Sequence, residues 1–403
     1  MSARSKTMGV LSEKFEGLLE NSSWIRRMFE TGIELKKKHG ADKVCDFSLG
    51  NPDLPPPPEV KEGLRELMDR AGEPFAFGYM PNCGFDWALR KLAVYLSAEQ
   101  ETALEAEDLM LGCGAAGCMN AFLRAVLNPG DEVICVAPFF VEYGAYVDNH
   151  GGALKPVPAR REDFGLDLPA MEKAINPKTR GIIINSPNNP TGQIYSLDEL
   201  AGLAEMLRLK SREHGRPVFL ISDEPYRFLA YDGAVVPPVL PLYEYAVVLG
   251  SFSKNMSLPG ERVGYLALAP NMPDKARLRA GAIMANRTLG FVNPPIAGQY
   301  LLKHALGKQV DLQIYAGRRK AMAETLTEAG YEFLKPRGAF YFFPKAPGGD
   351  DKEFVRRLAE ELVLAVPGSG FGMPGFFRLA FCVDEAEIRR ASGGLARARA
   401  ACG

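Results

Sequence analysis

Apolar positions along the chain fall into two kinds of run. Between about residues 60 and 305, short stretches rich in Val, Ile and Leu ("DEVICVAP", "RGIIINSP", "PVFLISDEPY", "YAVVLGSFSK", "RVGYLALAP") alternate with longer segments of helical spacing. A strand that is apolar at every position is covered on both faces. The alternation therefore predicts an α/β body with a mostly parallel central sheet over residues 61–305. After residue 305 a long helical stretch, "GAFYFFPK", another helix, "LVLAVPGSGFG" and "GFFRLAFCV" read as a smaller α+β domain, residues 306–403. Residues 1–60 are assigned as an N-terminal arm and part of that smaller domain. Their segment "FSLGNPDLPPPPEV", with four consecutive prolines, suits an extended crossing between lobes.

In a sheet of this kind ligands collect beyond the carboxyl ends of the strands. What stands at each strand exit is polar: Ser186 to Gly192 ("SPNNPTG") after "GIIIN", Asp223 and Tyr226 after "VFLIS", and Ser251, Ser253 and Lys254 after "AVVLG". A lysine there is either a surface cation or, partly desolvated, an amine able to form a Schiff base with a carbonyl compound. Asp223 is either a helix cap or the acid that keeps a pyridine nitrogen protonated and makes such a ring an electron sink. Tyr226, three residues on, lies within reach of the same ring. "GCGAAG" (Gly112–Gly117) matches G-x-G-x-x-G before a helix, but the next strand lacks the acidic residue at its exit that a dinucleotide site needs. What survives is a helix N-terminus suited to a single phosphate, which Ser251, Ser253 and Arg262 can complete. Arg378, inside the apolar "GFFRLAF", needs either an internal acid or a ligand carboxylate. "SFSK" also fits the S-x-x-K motif of serine acyl-enzymes, without its usual companions.

Composition removes other classes. The chain has 403 residues, 47% hydrophobic and 24% charged, with a net charge of -1, so nothing favours nucleic acid or an anionic membrane, and Lys36–Lys38 reads as a solvated helix face. Seven cysteines without a C-x-x-C pair argue against a disulfide framework or zinc site and for a reducing compartment. Four scattered histidines give metal chemistry little support, and no metal is assigned. The N-terminal 40 residues mix charge through an amphipathic pattern instead of forming a signal core, and no apolar run reaches 18 residues. A cytoplasmic protein is expected.

Taken together, "NSPNNPTG", "SDEPY", "SFSK" with Arg262 eight residues past the lysine, and the late arginine of "FFRLAF" resemble the pyridoxal-phosphate-dependent aminotransferases of classes I and II. This is the fold type I family that includes aspartate aminotransferase, and the similarity runs from about residue 45 to 385. The resemblance implies pyridoxal 5'-phosphate as cofactor and a ping-pong transfer of an amino group between an L-amino acid, acidic or aromatic, and a 2-oxo acid. It implies that Lys254 bonds the cofactor, that Asp223 pairs with its ring nitrogen, and that Tyr226 and Asn189 bond its phenolic oxygen. Ala115, Ala116, Ser251, Ser253 and Arg262 hold the phosphate, and Phe140 stacks on the ring. Arg378, helped by Asn189 and Gly50, binds the substrate carboxylate. Tyr79 reaches the phosphate from a neighbouring subunit, implying a homodimer with shared sites.

The chain departs from the family where a distal carboxylate would be read. The lysine that one branch uses is replaced by Ala116, and the position five residues before "NPP" is Thr288, with Arg287 one residue earlier. Arg287, or Asn286, is expected to admit an acidic substrate in a shifted register; otherwise Phe140, Tyr79 and Phe291 line a pocket for neutral or aromatic side chains. The same cofactor chemistry would also serve a lyase or decarboxylase acting on an amino acid.

Overall fold

The computed structural model describes residues 10–12, 14–16 and 24–402. The amphipathic reading of the first 40 residues is met by a helix at Trp24–His39; residues 1–9, 13 and 17–23 of that stretch lie outside the described residues.

Twelve strands are formed: β1 (Cys45–Asp46), β2 (Leu109–Cys113), β3 (Glu132–Ala137), β4 (Ala153–Pro158), β5 (Thr179–Asn185), β6 (Phe219–Asp223), β7 (Ala246–Ser251), β8 (Val263–Leu268), β9 (Tyr341–Phe342), β10 (Val363–Leu364), β11 (Val366–Pro367) and β12 (Phe377–Ala380). Seven make the central sheet, in the order β2-β8-β7-β6-β5-β3-β4. From β4 to β7 neighbouring strands are parallel; the central positions of β3, β5, β6 and β7 are buried because helices cover both faces, while the edge strand β4 stays largely exposed.

The sheet is mostly parallel, as expected, and β8 is its exception, running antiparallel to both β7 and β2. Only Phe252 to Arg262 separate β7 from β8. A parallel return needs a crossover of a dozen residues or more, usually a helix, and this link holds only turns and a 3-10 segment at Pro259–Glu261.

The reversal brings separate pieces of sequence to one edge. Asn185 pairs with Asp223 at the ends of β5 and β6, and Ser251 pairs with Gly264 where β8 begins. Cys113, the last residue of β2, pairs with Val263, so the helix Gly114–Val126 starts at this same edge. Gly264 is required here, because a Cβ on it would come within 2.6 Å of the Ala115 backbone nitrogen.

The C-terminal part forms a three-stranded antiparallel sheet, β11-β12-β9, backed by the helices Leu312–Glu328 and Asp351–Glu360. β1 pairs in parallel with β10, so the chain ahead of the proline-rich segment joins this part. That segment is pinned by a buried Arg318, whose guanidinium makes two bonds of 2.7 Å to Asp53, and by the Ser257 hydroxyl donating to the Leu54 carbonyl.

Candidate active site

A cavity of about 350 Å³ opens at the carboxyl edge of the central sheet, within the range of small-molecule sites. Gly50, Ala115, Ala116, Phe140, Asn189 and Asp223 line it, together with Tyr226, Ser251, Ser253, Lys254, Arg262 and Arg378. Twelve of the fourteen residues singled out from the sequence thus share one space.

Lys254 sits in the turn after β7, and its Nζ donates to the Gly50 carbonyl at 2.6 Å. Burial lowers its pKa to about 8, with Arg378 and Arg262 pushing the same way and Cys382 opposing. The amine therefore remains mostly protonated at pH 7 but carries a far larger share of the neutral form, the state a nucleophile needs, than an ordinary lysine does.

The Asp223 carboxylate accepts from the Tyr143 hydroxyl at 2.5 Å, and its backbone carbonyl accepts from Asn185 Nδ2 at 2.8 Å. Burial raises the Asp223 pKa to about 6; the Tyr143 bond pulls it down and Glu224 adds to the rise. Asn185 also accepts from the Asn189 backbone N–H at 2.7 Å, so one strand-end side chain fixes both the acid's strand and the following loop. Asn188 closes that loop on itself by accepting from the N–H and hydroxyl of Thr191.

The helix Gly114–Val126 begins without a side-chain cap, which leaves its first N–H groups facing the cavity mouth. Gly114, at φ +73°, permits the approach of Arg262: a Cβ there would lie 2.8 Å from an Arg262 terminal nitrogen. Arg262 is exposed and donates to the Pro259 carbonyl. With the two serine hydroxyls, these donors form a cradle for a dianion.

Arg378, on β12, is only 2% exposed. One terminal nitrogen donates to Asn189 Oδ1 at 3.1 Å and the other to the Ser48 carbonyl at 2.6 Å, while Nε has no partner among the described residues. Its guanidinium lies between the rings of Tyr341 and Phe371, each centroid at 4.8 Å. Burial lowers its pKa, since no acid stands beside it.

Tyr226 shares a hydrogen bond of 2.7 Å with the Tyr341 hydroxyl. Phe140 stands edge-on to Tyr143, with ring centroids 5.6 Å apart.

Two expected residues are not part of this space. Tyr79 is 92% exposed and Arg287 is exposed at the end of the helix Lys275–Thr288; neither lines the cavity of its own chain. Helical phase separates the two residues considered there: Asn286 turns inward and is fully buried, while Arg287, one position on, turns out.

The sequence reading missed Asn185, Tyr143, Tyr146 and Tyr341, all on the lining. Asn185 was findable as the polar last residue of "GIIIN". Tyr143 and Tyr341 carried no local signal, since tyrosines in apolar runs ordinarily pack a core.

The donor set fits pyridoxal 5'-phosphate: a cradle for its phosphate, a buried acid for its ring nitrogen, an aromatic face, and an amine of lowered pKa. The Nε of Arg378, without a partner among the described residues, keeps donor capacity that a carboxylate can use.

Residues 42–395 match the family model for aminotransferase class I and II. The aspartate/prephenate aminotransferase of Thermus thermophilus is 30% identical over 378 residues, covering 91% of this chain and 93% of the relative. Aromatic-amino-acid aminotransferase 2 of Thermococcus litoralis is 30% identical over 400 residues, covering 94% and 96%. The crystal structure of an amino transferase from Eubacterium rectale is 38% identical and superimposes with a TM-score of 0.94 over 98% of this chain and 99% of that one.

Proposed function

The chain belongs to the aminotransferases of classes I and II, a family dependent on pyridoxal 5'-phosphate, and from that premise we propose the substrates and the part each residue plays. An L-amino acid with an acidic or aromatic side chain gives up its amino group, and a 2-oxo acid takes it, in two half-reactions on one site. The observation that carries this reading is Arg378. A buried guanidinium without an acid costs several kcal/mol of desolvation. A substrate carboxylate offsets that cost by pairing with the planar fork, in the cavity that also holds Lys254.

When bound, the cofactor supplies an electron sink next to the substrate Cα and holds the amino group between half-reactions. Ser251, Ser253, Arg262 and the backbone N–H groups of Ala115 and Ala116 hold its phosphate. Asp223 would pair with the cofactor's ring nitrogen as a carboxylate, kept ionised by the hydrogen bond that Tyr143 donates to it. Tyr226 and Asn189 would hold the phenolic oxygen, and Phe140 would cover one ring face. Arg378 and Asn189 orient the substrate carboxylate so that the Cα–H bond faces Lys254. As a neutral amine, Lys254 would take the Cα proton onto Nζ, the resulting ammonium being able to donate to the Gly50 carbonyl that Nζ already meets at 2.6 Å.

Tyr79 and Arg287 fit this reading only across a subunit boundary, so the working unit is a homodimer in which each chain completes its partner's site. The exposed Phe75 and Phe77, two large apolar side chains two residues apart in the chain and close to Tyr79, support it, since contiguous apolar surface marks contact sites. In the same reading, residues 61–305 carry the cofactor, and residues 306–403 with the chain before 61 carry Arg378. Seven free cysteines suit a reducing, cytoplasmic setting.

The test is to load the purified protein with pyridoxal 5'-phosphate, record its visible absorbance, and add single amino acids without any oxo acid. Loss of the band with one equivalent of 2-oxo acid released per site is expected, and the amino acid that causes it is the donor. Ammonia released over many turnovers, with the band intact, would make the enzyme a lyase instead.

A further inference from the structure

Tyr341 touches three of the groups this function uses. Its hydroxyl shares the 2.7 Å hydrogen bond with Tyr226, and its ring lies under the Arg378 guanidinium at 4.8 Å. The same hydroxyl packs so closely on Gly50 that a Cβ there would come within 2.1 Å of it. Tyr341 is buried and lines the cavity, and among the described residues its hydroxyl has one hydrogen-bond partner, Tyr226.

Two phenols joined by one hydrogen bond hold two protons, and only one lies between the oxygens. If Tyr226 donates, its proton lies between the two oxygens and the free proton is the one on Tyr341. If Tyr341 donates, the Tyr226 proton is free to point inward. Charge selects the second arrangement. The Arg378 cation favours proton loss from both phenols, but it lies directly over the Tyr341 ring, at 4.8 Å from its centroid, which makes Tyr341 the better donor. Burial raises both phenols, so both keep their protons. The other ionisable groups near the pair are Cys382, whose thiol burial keeps protonated, and Lys254, which points at the Gly50 carbonyl.

We propose that Tyr341 is a positioning residue of this site. By donating to Tyr226 it turns the Tyr226 proton into the cavity, toward the phenolic oxygen of the cofactor. By carrying Arg378 on its ring it ties that alignment to the group that takes the substrate carboxylate. The proposal rests on the aminotransferase reading of the cavity.

The experiment titrates the visible absorbance of the holoenzyme against pH in the wild type, Tyr226→Phe, Tyr341→Phe and the double variant. Tyr226→Phe removes a donor to an anionic oxygen and raises the midpoint. Tyr341→Phe raises it in the same sense by roughly half a unit, through lost polarisation of the Tyr226 hydroxyl, and lowers kcat about three- to tenfold. In the double variant the Tyr341 change adds nothing further, which separates positioning from a general loosening of the site. Gly50→Ala pushes the same hydroxyl aside without altering Tyr341 and moves the midpoint the same way; should Tyr341→Phe fail to fold, it carries the test. An unmoved midpoint, or additive shifts in the double variant, overturns the proposal while leaving the site reading intact. A wild-type protein that gains no visible band with pyridoxal 5'-phosphate overturns the site reading and the proposal together.

Discussion

Lys254 Nζ donates to the Gly50 carbonyl at 2.6 Å across a sequence separation of 204 residues. The bond joins the strand-exit turn of the central sheet to the segment that crosses toward the C-terminal part. It holds an amine that burial has brought down to a pKa of about 8.

The rate at which the apo protein takes up pyridoxal 5'-phosphate should therefore rise with pH around a midpoint near 8, well below the ordinary lysine value of 10.5, because only the neutral amine attacks a carbonyl. The same shift has a sign for stability. Between pH 8 and 10.5 the unfolded chain binds more protons at this group than the folded one, so the Lys254 contribution to apo-protein stability rises across that window. Stopped-flow absorbance and denaturant midpoints check the two halves; Lys254→Ala should abolish both dependences.

Tyr143→Phe removes the hydrogen bond that keeps Asp223 ionised, so the acid's pKa rises above about 6 and more of it is protonated at pH 6–7. The acid limb of the kcat/KM profile should move to higher pH, and kcat at pH 7 should fall by about tenfold. An unmoved limb would mean that Asp223 does not set it.

Gly264→Ala places a Cβ 2.5 Å from the Gly114 carbonyl carbon and 2.6 Å from the Ala115 nitrogen, both backbone atoms that cannot swing aside. The start of the helix Gly114–Val126 must shift. We expect a stability loss of about 1–3 kcal/mol from the overpacking and a weaker hold on the cofactor's phosphate. Thermal unfolding and equilibrium dialysis of the cofactor measure the two effects.

Arg287→Ala should lower aspartate turnover relative to phenylalanine by about tenfold or more if the partner's copy binds a distal carboxylate, since a charged hydrogen bond contributes about 1.5–3 kcal/mol. The kcat/KM ratio for the two substrates is the readout. An unchanged ratio leaves the aromatic surfaces of the cavity to set the preference.

The sequence by itself determined the strands of the sheet and what stands at their ends. Continuous apolar runs such as "GIIIN" and "AVVLG" can only be buried, and polar residues at their exits, Asp223, Ser251 and Lys254, had to lie together wherever the strands were parallel. Those facts are local, set by a side-chain period and a short link. The tertiary structure decided what local patterns cannot carry. Strand pairing across the molecule brought Gly50 to Lys254 and Arg378 to Asn189. An eleven-residue link without a helix turned β8 antiparallel, a direction that the apolar run "RVGYLALAP" does not itself carry. Helical phase sent Asn286 inward and Arg287 outward. Tyr143 and Tyr341, indistinguishable in sequence from core tyrosines, became part of the site because packing aimed one hydroxyl at Asp223 and the other at Tyr226. A hydroxyl's role is fixed by which polar atom it meets, and that partner is chosen by the fold.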